Sequence, residues 1–237
     1  VKTNQMVETE NVKRALRYVK SLLDRPVTEM VGMMLIYGKP GLGKTRFGER
    51  LAYNNGFIYM RLEASMTNKD FLKKLLHHLY YRFHIEEGGT SRKNTNKLLD
   101  EVKAILNEYP NTVMVVDEID YAFRNKKLLG TIRDIVDETT GVIILIGMQN
   151  ARDELLKANE HFFDRCGYIM KFTNNSQKDI KKICNGISDV NIPDKAIERI
   201  YKNTKGNARK TIKLIKLAED YNDTDKFMQI LDILGDK

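Results

Sequence analysis

Eight consecutive residues constrain this chain more than any others. Gly38-Lys39-Pro40-Gly41-Leu42-Gly43-Lys44-Thr45 reads G-x-x-x-x-G-K-T, directly after the apolar run Met33-Met34-Leu35-Ile36-Tyr37 and directly before a helix-like stretch. Strand, glycine-rich loop and helix in that order are what a phosphate-cradling P-loop requires. The glycines let the backbone curl so that successive N–H groups point inward at phosphate oxygens, helped by the positive end of the following helix. In this reading Lys44 reaches the β- and γ-phosphates and the Thr45 hydroxyl ligates Mg²⁺. Lys39, Leu42 and Arg46 complete the binding stretch. The expectation is a strand–loop–helix fold that holds a nucleoside triphosphate with Mg²⁺.

The rest of the chain supplies the partners for such a unit. Apolar periodicity predicts a helix over 11–24, closed by Arg25-Pro26, then the 33–37 strand and a helix running from the loop to about Asn54. Strands follow over 56–62, 112–116, 141–147 and 168–172, with helices over 67–83, 95–107, 127–138 and 151–158 between them. Thr67 stands as N-cap with Asp70 three positions on. Alternation of strands and helices predicts an α/β domain with a mainly parallel five-stranded sheet flanked by helices. From Ser176 onward only helical patterns occur. The expected division is therefore an α/β core over 1–173 and a small all-helical lid over 174–237.

A second motif bears on chemistry. Thr112–Val116 leads into Asp117-Glu118, adjacent acids at a strand end. Neighbouring side chains diverge on a pleated strand, so the two acids suit different tasks. Asp117 is assigned to Mg²⁺ and Glu118 to polarising the attacking water. Gly147-Met148-Gln149-Asn150 places amides at the tip of another strand. If that strand lies between the other two, Gln149 or Asn150 senses the γ-phosphate or positions water; a turn and helix cap is the other meaning of the same residues. Arg165, before the last strand, suits an arginine finger reaching a neighbouring subunit's nucleotide, or a surface ion pair with Asp164 or Glu160. Arg209, in Gly206-Asn207-Ala208-Arg209, suits a contact folded back on the triphosphate.

Charge narrows the partners. The net charge is +8, and it is uneven: residues 1–54 carry 10 basic and 5 acidic side chains, whereas 111–171 carry 8 and 10. A polyanionic partner fits that balance. One basic group comprises Lys69, Lys73 and Lys74 with Arg92, Lys93 and Lys97, suited to phosphate-backbone contact. Another runs from Arg199 to Lys216 with no acid, and reads either as a solvated face or as a polyanion contact. Adjacent His77 and His78 face different sides of a helix and make no metal site. Cys166 and Cys184 fit neither a disulfide framework nor a zinc site. No apolar stretch is long enough for a bilayer and the first residues carry no leader pattern, so a cytoplasmic protein without membrane contact is expected.

Together the P-loop, the Asp-Glu strand, the amide-tipped strand, the late arginine and the G-N-x-R of the helical segment resemble the AAA+ ATPases. Within them the chain is similar to the MuB/TniB/TnsC ATPases of DNA transposition. The likeness is carried by Val7-Glu8-Thr9, by Met60–Leu76 and by Asp117-Glu118-Ile119-Asp120 followed by Leu128–Gly141. What this resemblance implies is an ATPase that oligomerises as a filament or ring on duplex DNA and recruits a transposase, with hydrolysis driving disassembly. ATP would sit at subunit interfaces, and Thr67, Lys69, Lys73, Arg92 and Lys93 would contact DNA. MuB carries an additional N-terminal DNA-binding domain, and no counterpart to it is expected in the residues ahead of Val7. Met148-Gln149-Asn150 is nearer the G-x-x-N of origin-recognition ATPases, which keeps an initiator or helicase-loader reading open. A signalling NTPase switch whose basic face meets a protein is the alternative of another class.

Overall fold

A computed structural model describes residues 2, 5–86, 93–221 and 224–235. The chain divides into two compact units. One, formed by Tyr18–Gly38 and Gly48–Lys171, is built on a five-stranded parallel sheet. Its strands are β1 (Gly32–Gly38), β2 (Ile58–Arg61), β3 (Val113–Asp117), β4 (Val142–Gly147) and β5 (Tyr168–Phe172), in the spatial order β2-β3-β4-β1-β5. Every residue of β3 and β4 is buried. A parallel sheet covered on both faces demands such continuous apolar runs, which is why V-M-V-V and V-I-I-L-I make its centre.

Helices α1 (Glu10–Leu23), α2 (Lys44–Asn55), α3 (Asn68–Phe83), α4 (Thr95–Glu108), α5 (Lys126–Glu138), α6 (Ala151–Ala158) and α7 (Glu160–Asp164) alternate with the strands. Leu72, Leu75, Leu79, Leu98, Val102, Ile132 and Ile135 pack with Met33, Leu35, Met114 and Val116 into one core. Arg25 closes the end of α1. Its buried guanidinium donates to the carbonyls of Leu22, Met30 and Thr140. With no carboxylate among those partners, burial pulls its pKa down.

Register decides what the sheet's C-terminal edge presents. Arg61 pairs with Asp117, Asp117 with Ile146, and Tyr37 with Gly147. The ends of β2, β3, β4 and β1 thus lie side by side on the edge where ligands bind in open α/β sheets.

The second unit comprises Val1–Arg17, Lys39–Phe47 and Phe172–Lys237. It holds α8 (Gln177–Ile187), α9 (Asp194–Thr204), α10 (Ala208–Tyr221) and α11 (Thr224–Gly235). Ile180, Ile183, Ile187, Ile197, Ile200, Ile215, Phe227 and Leu231 form its own core. Ser176 and Asp179 make a capping box at the start of α8, and Asp179 also accepts the Glu10 N–H.

Three local expectations change. β2 starts at Ile58 rather than Gly56. Gly56 adopts φ +63° and the Phe57 N–H still bonds to Ala52 in α2, so the strand cannot form earlier. Asn159 caps the short α7 through the Phe162 N–H, an element absent from the sequence reading. A 3₁₀ turn over Ile119–Ala122 follows the acid pair. Among the described residues no helix is long and apolar enough to cross a membrane.

Candidate functional site: a phosphate loop and a carboxylate strand end

β1 ends at Gly38 and the chain passes at once into the glycine loop, with Lys44 opening α2. Gly41 and Gly43 take φ +80° and +95°, the left-handed region that glycine adopts without penalty. Lys44 is only 7% exposed, and its ammonium donates to the Lys39 carbonyl at 3.0 Å, across the loop's own span. Leu42 is buried, Thr45 half-buried, and Lys39 and Arg46 exposed. A buried ammonium inside a curl of backbone amides is a donor set that fits phosphate oxygens.

The same unit brings the G-N-x-R segment to this loop. The Asn207 side chain donates to the Pro40 carbonyl at 3.2 Å, and the Arg209 N–H donates to the Gly41 carbonyl at 3.0 Å. A Cβ on Gly41 would lie 2.6 Å from Asn207 Oδ1, so this approach itself requires glycine. Arg209's side chain is exposed.

In the sheet unit, Asp117 ends β3 and is 2% exposed. Its Oδ1 accepts the Glu118 N–H at 2.8 Å and its Oδ2 accepts the Tyr59 hydroxyl at 2.9 Å. Burial, then the Asp117 charge, pushes the Tyr59 phenol well above its ordinary range, so it stays a donor. Glu118 sits at φ 58°, ψ 43°, a left-handed conformation costing a non-glycine residue about 1–3 kcal/mol. That turn swings its carboxylate onto Arg61, 3.1 Å away at the end of β2. Neither Tyr59 nor Arg61 figured among the sequence-derived site residues; the signal was their place on the strand that turns out to neighbour β3.

β4 lies between β3 and β1, the condition on which the sensor role of its tip depended. Met148, Gln149 and Asn150 are all exposed. Gln149 and Asn150 form the turn into α6 and Asn150 occupies its N-cap position, accepting the Glu154 N–H through its backbone carbonyl at 2.9 Å, but its side chain makes no cap bond. Asp120 steadies this tip from the 3₁₀ turn by accepting the Met148 N–H at 2.8 Å. Burial raises the Asp120 carboxyl, against the opposing pull of that hydrogen bond.

Arg165 follows α7 and pairs with neither Asp164 nor Glu160. Its Nε lies 3.0 and 3.1 Å from the two Asp137 oxygens, and Nη1 donates to the His161 carbonyl. That pairing, above all the hydrogen bond to Asp137, raises the Arg165 pKa.

Thr67 caps α3 in a full capping box with Asp70, and Lys69 and Lys73 share one half-exposed face of that helix. Lys93 is held by Glu101 at 2.7 Å. Arg92 lies outside the described residues. Both cysteines are free thiols, each pushed up to about 12 by burial. Among the described residues no group of three or more His, Cys, Asp or Glu side chains could hold a metal. A Mg²⁺ ion is normally held by one or two protein oxygens plus substrate phosphates, and the Thr45 hydroxyl and the Asp117 carboxylate are each, within their own unit, an oxygen donor of that kind.

A phosphate loop leaving one strand of a parallel sheet, with Asp-Glu ending the next strand but one, defines a P-loop nucleotide hydrolase of the AAA+ kind. Residues 29–155, more than half of the chain, match the family described as AAA domain, and the chain belongs to that family. Membership implies nucleotide hydrolysis. Among solved structures it is similar to the Aeropyrum pernix ORC2 protein in ADPNP–ADP complexes, with a TM-score of 0.70 at 15% identity over 97% of this chain and 70% of that one. The Walker-type ATPase PABY2304 of Pyrococcus abyssi gives 0.69 at 15% identity over 97% and 72%. The replication initiator DnaA bound to AMPPCP and single-stranded DNA gives 0.61 at 18% identity over 90% and 63%. No curated protein matches the chain.

Proposed function

We propose that this protein is an ATP-driven AAA+ ATPase that engages duplex DNA as an oligomer, of the origin-recognition or helicase-loading kind. The observation that carries it is the strand order β3-β4-β1, which puts the acid pair, the amide tip and the start of the phosphate loop on one sheet edge. Lys44 is assigned to the β- and γ-phosphates, and Gly41, Gly43 and the neighbouring amides to the phosphate oxygens. Thr45 and Asp117 are the Mg²⁺ ligands, and the ion would neutralise charge building on the phosphates. Glu118 orients and polarises water, Gln149 or Asn150 senses the γ-phosphate, and Arg165 serves a neighbouring protomer. Residues 174–237 act as the lid, with Arg209 turned to the nucleotide.

DNA enters the reading through the charge of +8 and through likeness to proteins such as DnaA, which is described with both nucleotide and DNA. A second reading keeps the same chemistry and places it in transposition, with a transposase as partner. It is favoured by the run Asp117–Gly141 and by nothing in the structural likenesses.

The test is turnover measured with and without duplex DNA. Glu118→Gln is expected to abolish ATP hydrolysis, by at least about 100-fold, while nucleotide and DNA binding persist. Full turnover in that variant removes Glu118 from its role. Absence of ATP-dependent DNA binding at low salt removes DNA from the function.

A further inference from the structure

The helical unit carries a basic cleft that shares Lys39 and Leu42 with the phosphate loop and whose other lysines the reading above leaves unused. It encloses about 520 Å³ and is lined by the ammonium-bearing Lys39, Lys202, Lys205 and Lys210, with the amides of Asn174 and Asn207. No carboxylate lines it. Among the described residues Lys39, Lys205 and Lys210 have no acidic partner, and Lys202 has only the exposed, one-turn pair with Glu198. Four cations around one hollow repel each other, and among the described residues only the exposed Lys202–Glu198 pair offsets that.

The turn that presents these lysines is held in an unusual shape. Lys205 adopts φ 49° and Gly206 φ 79°. Asn174 clamps the Lys205 carbonyl at 2.9 Å, and Asn175 clamps the Gly206 carbonyl through both its side chain and its backbone N–H. A Cβ on Gly206 would meet the Asn175 carbonyl oxygen at 2.2 Å. Asn207 then caps α10 by accepting the Lys210 N–H. The positions of Lys202, Lys205 and Lys210 are thereby fixed by backbone rather than left to flexible chain.

We infer that the lysines this cleft takes from the helical segment, Lys202, Lys205 and Lys210, bind the sugar-phosphate backbone of nucleic acid beside the nucleotide-binding loop, whose Lys39, Pro40 and Leu42 form the rest of the cleft wall. Positive charge does not stop at the hollow: Lys213, one turn beyond Lys210, continues it, exposed, along α10. A basic track running out of an open cleft fits a long polyanion better than a compact one, and lysine point charges read phosphate without sequence preference. The inference rests on the DNA engagement proposed above and names its surface.

Duplex binding to the full chain with an ATP analogue, followed by fluorescence anisotropy across a salt series, tests it. Each lost phosphate contact lowers the slope of log K against log salt by roughly 0.9. Lys202→Gln/Lys205→Gln/Lys210→Gln is expected to lower it by about 2 to 3 and to weaken affinity at least about tenfold in moderate salt. The Lys→Arg triple variant should retain both. An unchanged slope in the Gln variant, with binding lost instead in Lys69→Gln/Lys73→Gln, overturns the cleft while DNA engagement stands. A wild-type chain that binds no duplex overturns both. If the Gln variant does not fold, lysine acetylation of the wild-type chain decides: duplex should shield Lys202, Lys205 and Lys210. No shielding, or equal shielding by inorganic tripolyphosphate at matched phosphate concentration, overturns the nucleic-acid occupant.

Discussion

At the scale of residues, the two acids at the end of β3 are held very differently. Asp117 is buried and fixed by two donors, whereas Glu118 is strained and turned onto Arg61. A carboxylate bonded to a guanidinium has fewer lone pairs for water, so its use as a base requires that pair to open. Arg61→Ala is therefore expected to raise basal ATP turnover about three- to tenfold at unchanged KM. A fall in turnover would instead make Arg61 a positioning residue. Asp120 adds a pH signature. Burial, with Glu154 and Glu118 nearby, raises its carboxyl above the ordinary 3.8. The folded state then binds the proton more tightly than the unfolded one, so stability from this group is full below the ordinary value and declines as pH rises through the raised one. Asn keeps an acceptor for the Met148 N–H and has no charge. Asp120→Asn should melt above wild type at neutral pH, and the difference should vanish by about pH 3. Thermal melts across that range check it; a lower melting point at neutral pH would mean the charged acceptor outweighs burial.

At the scale of elements, caps and apolar runs made most of the fold legible. V-M-V-V-D and V-I-I-L-I-G announce central strands because both sheet faces are covered. Thr67 with Asp70 announced the start of α3, and the capping box is present. The same hydroxyl was assigned to DNA, and the cap gives it a competing task. Thr67→Ala should lower unfolding free energy by about 1 kcal/mol, while Lys69→Gln/Lys73→Gln should stay within about 0.5 kcal/mol of wild type. Urea unfolding separates the two; a Thr67→Ala chain of unchanged stability would show that Asp70 alone suffices at the cap. What stayed hidden was short or non-local. α7 is five residues long, below the length at which periodicity registers. The Arg61–Glu118 and Tyr59–Asp117 pairs join residues 57 and 58 positions apart, and depend on β2 lying beside β3. Spacing along a chain does not encode which strands become neighbours.

At the scale of the whole molecule, the open question is whether one chain holds a complete catalytic site. Arg165 is bound to Asp137, with side-chain exposures of 35% and 26%. Exposed pairs of this sort are worth about 0–1 kcal/mol, so a neighbour's γ-phosphate would compete for the guanidinium at little cost. Were Arg165 only the partner of Asp137, Arg165→Ala would keep nearly full turnover. Were it a finger acting within its own chain, the loss would persist however the chains were mixed. Action on a neighbour predicts a third pattern. Arg165→Ala and Glu118→Gln should each be inactive alone, because one lacks the finger and the other the base. Mixed in equal amounts in a head-to-tail assembly, roughly a quarter of the sites pair an intact Glu118 with an intact neighbouring Arg165. Turnover should recover toward about that fraction of wild type, and dilution below the assembly concentration should abolish it. Recovery would make the phosphate loop one half of a site that two protomers complete, and ATP would then bind assembly and hydrolysis into a single equilibrium.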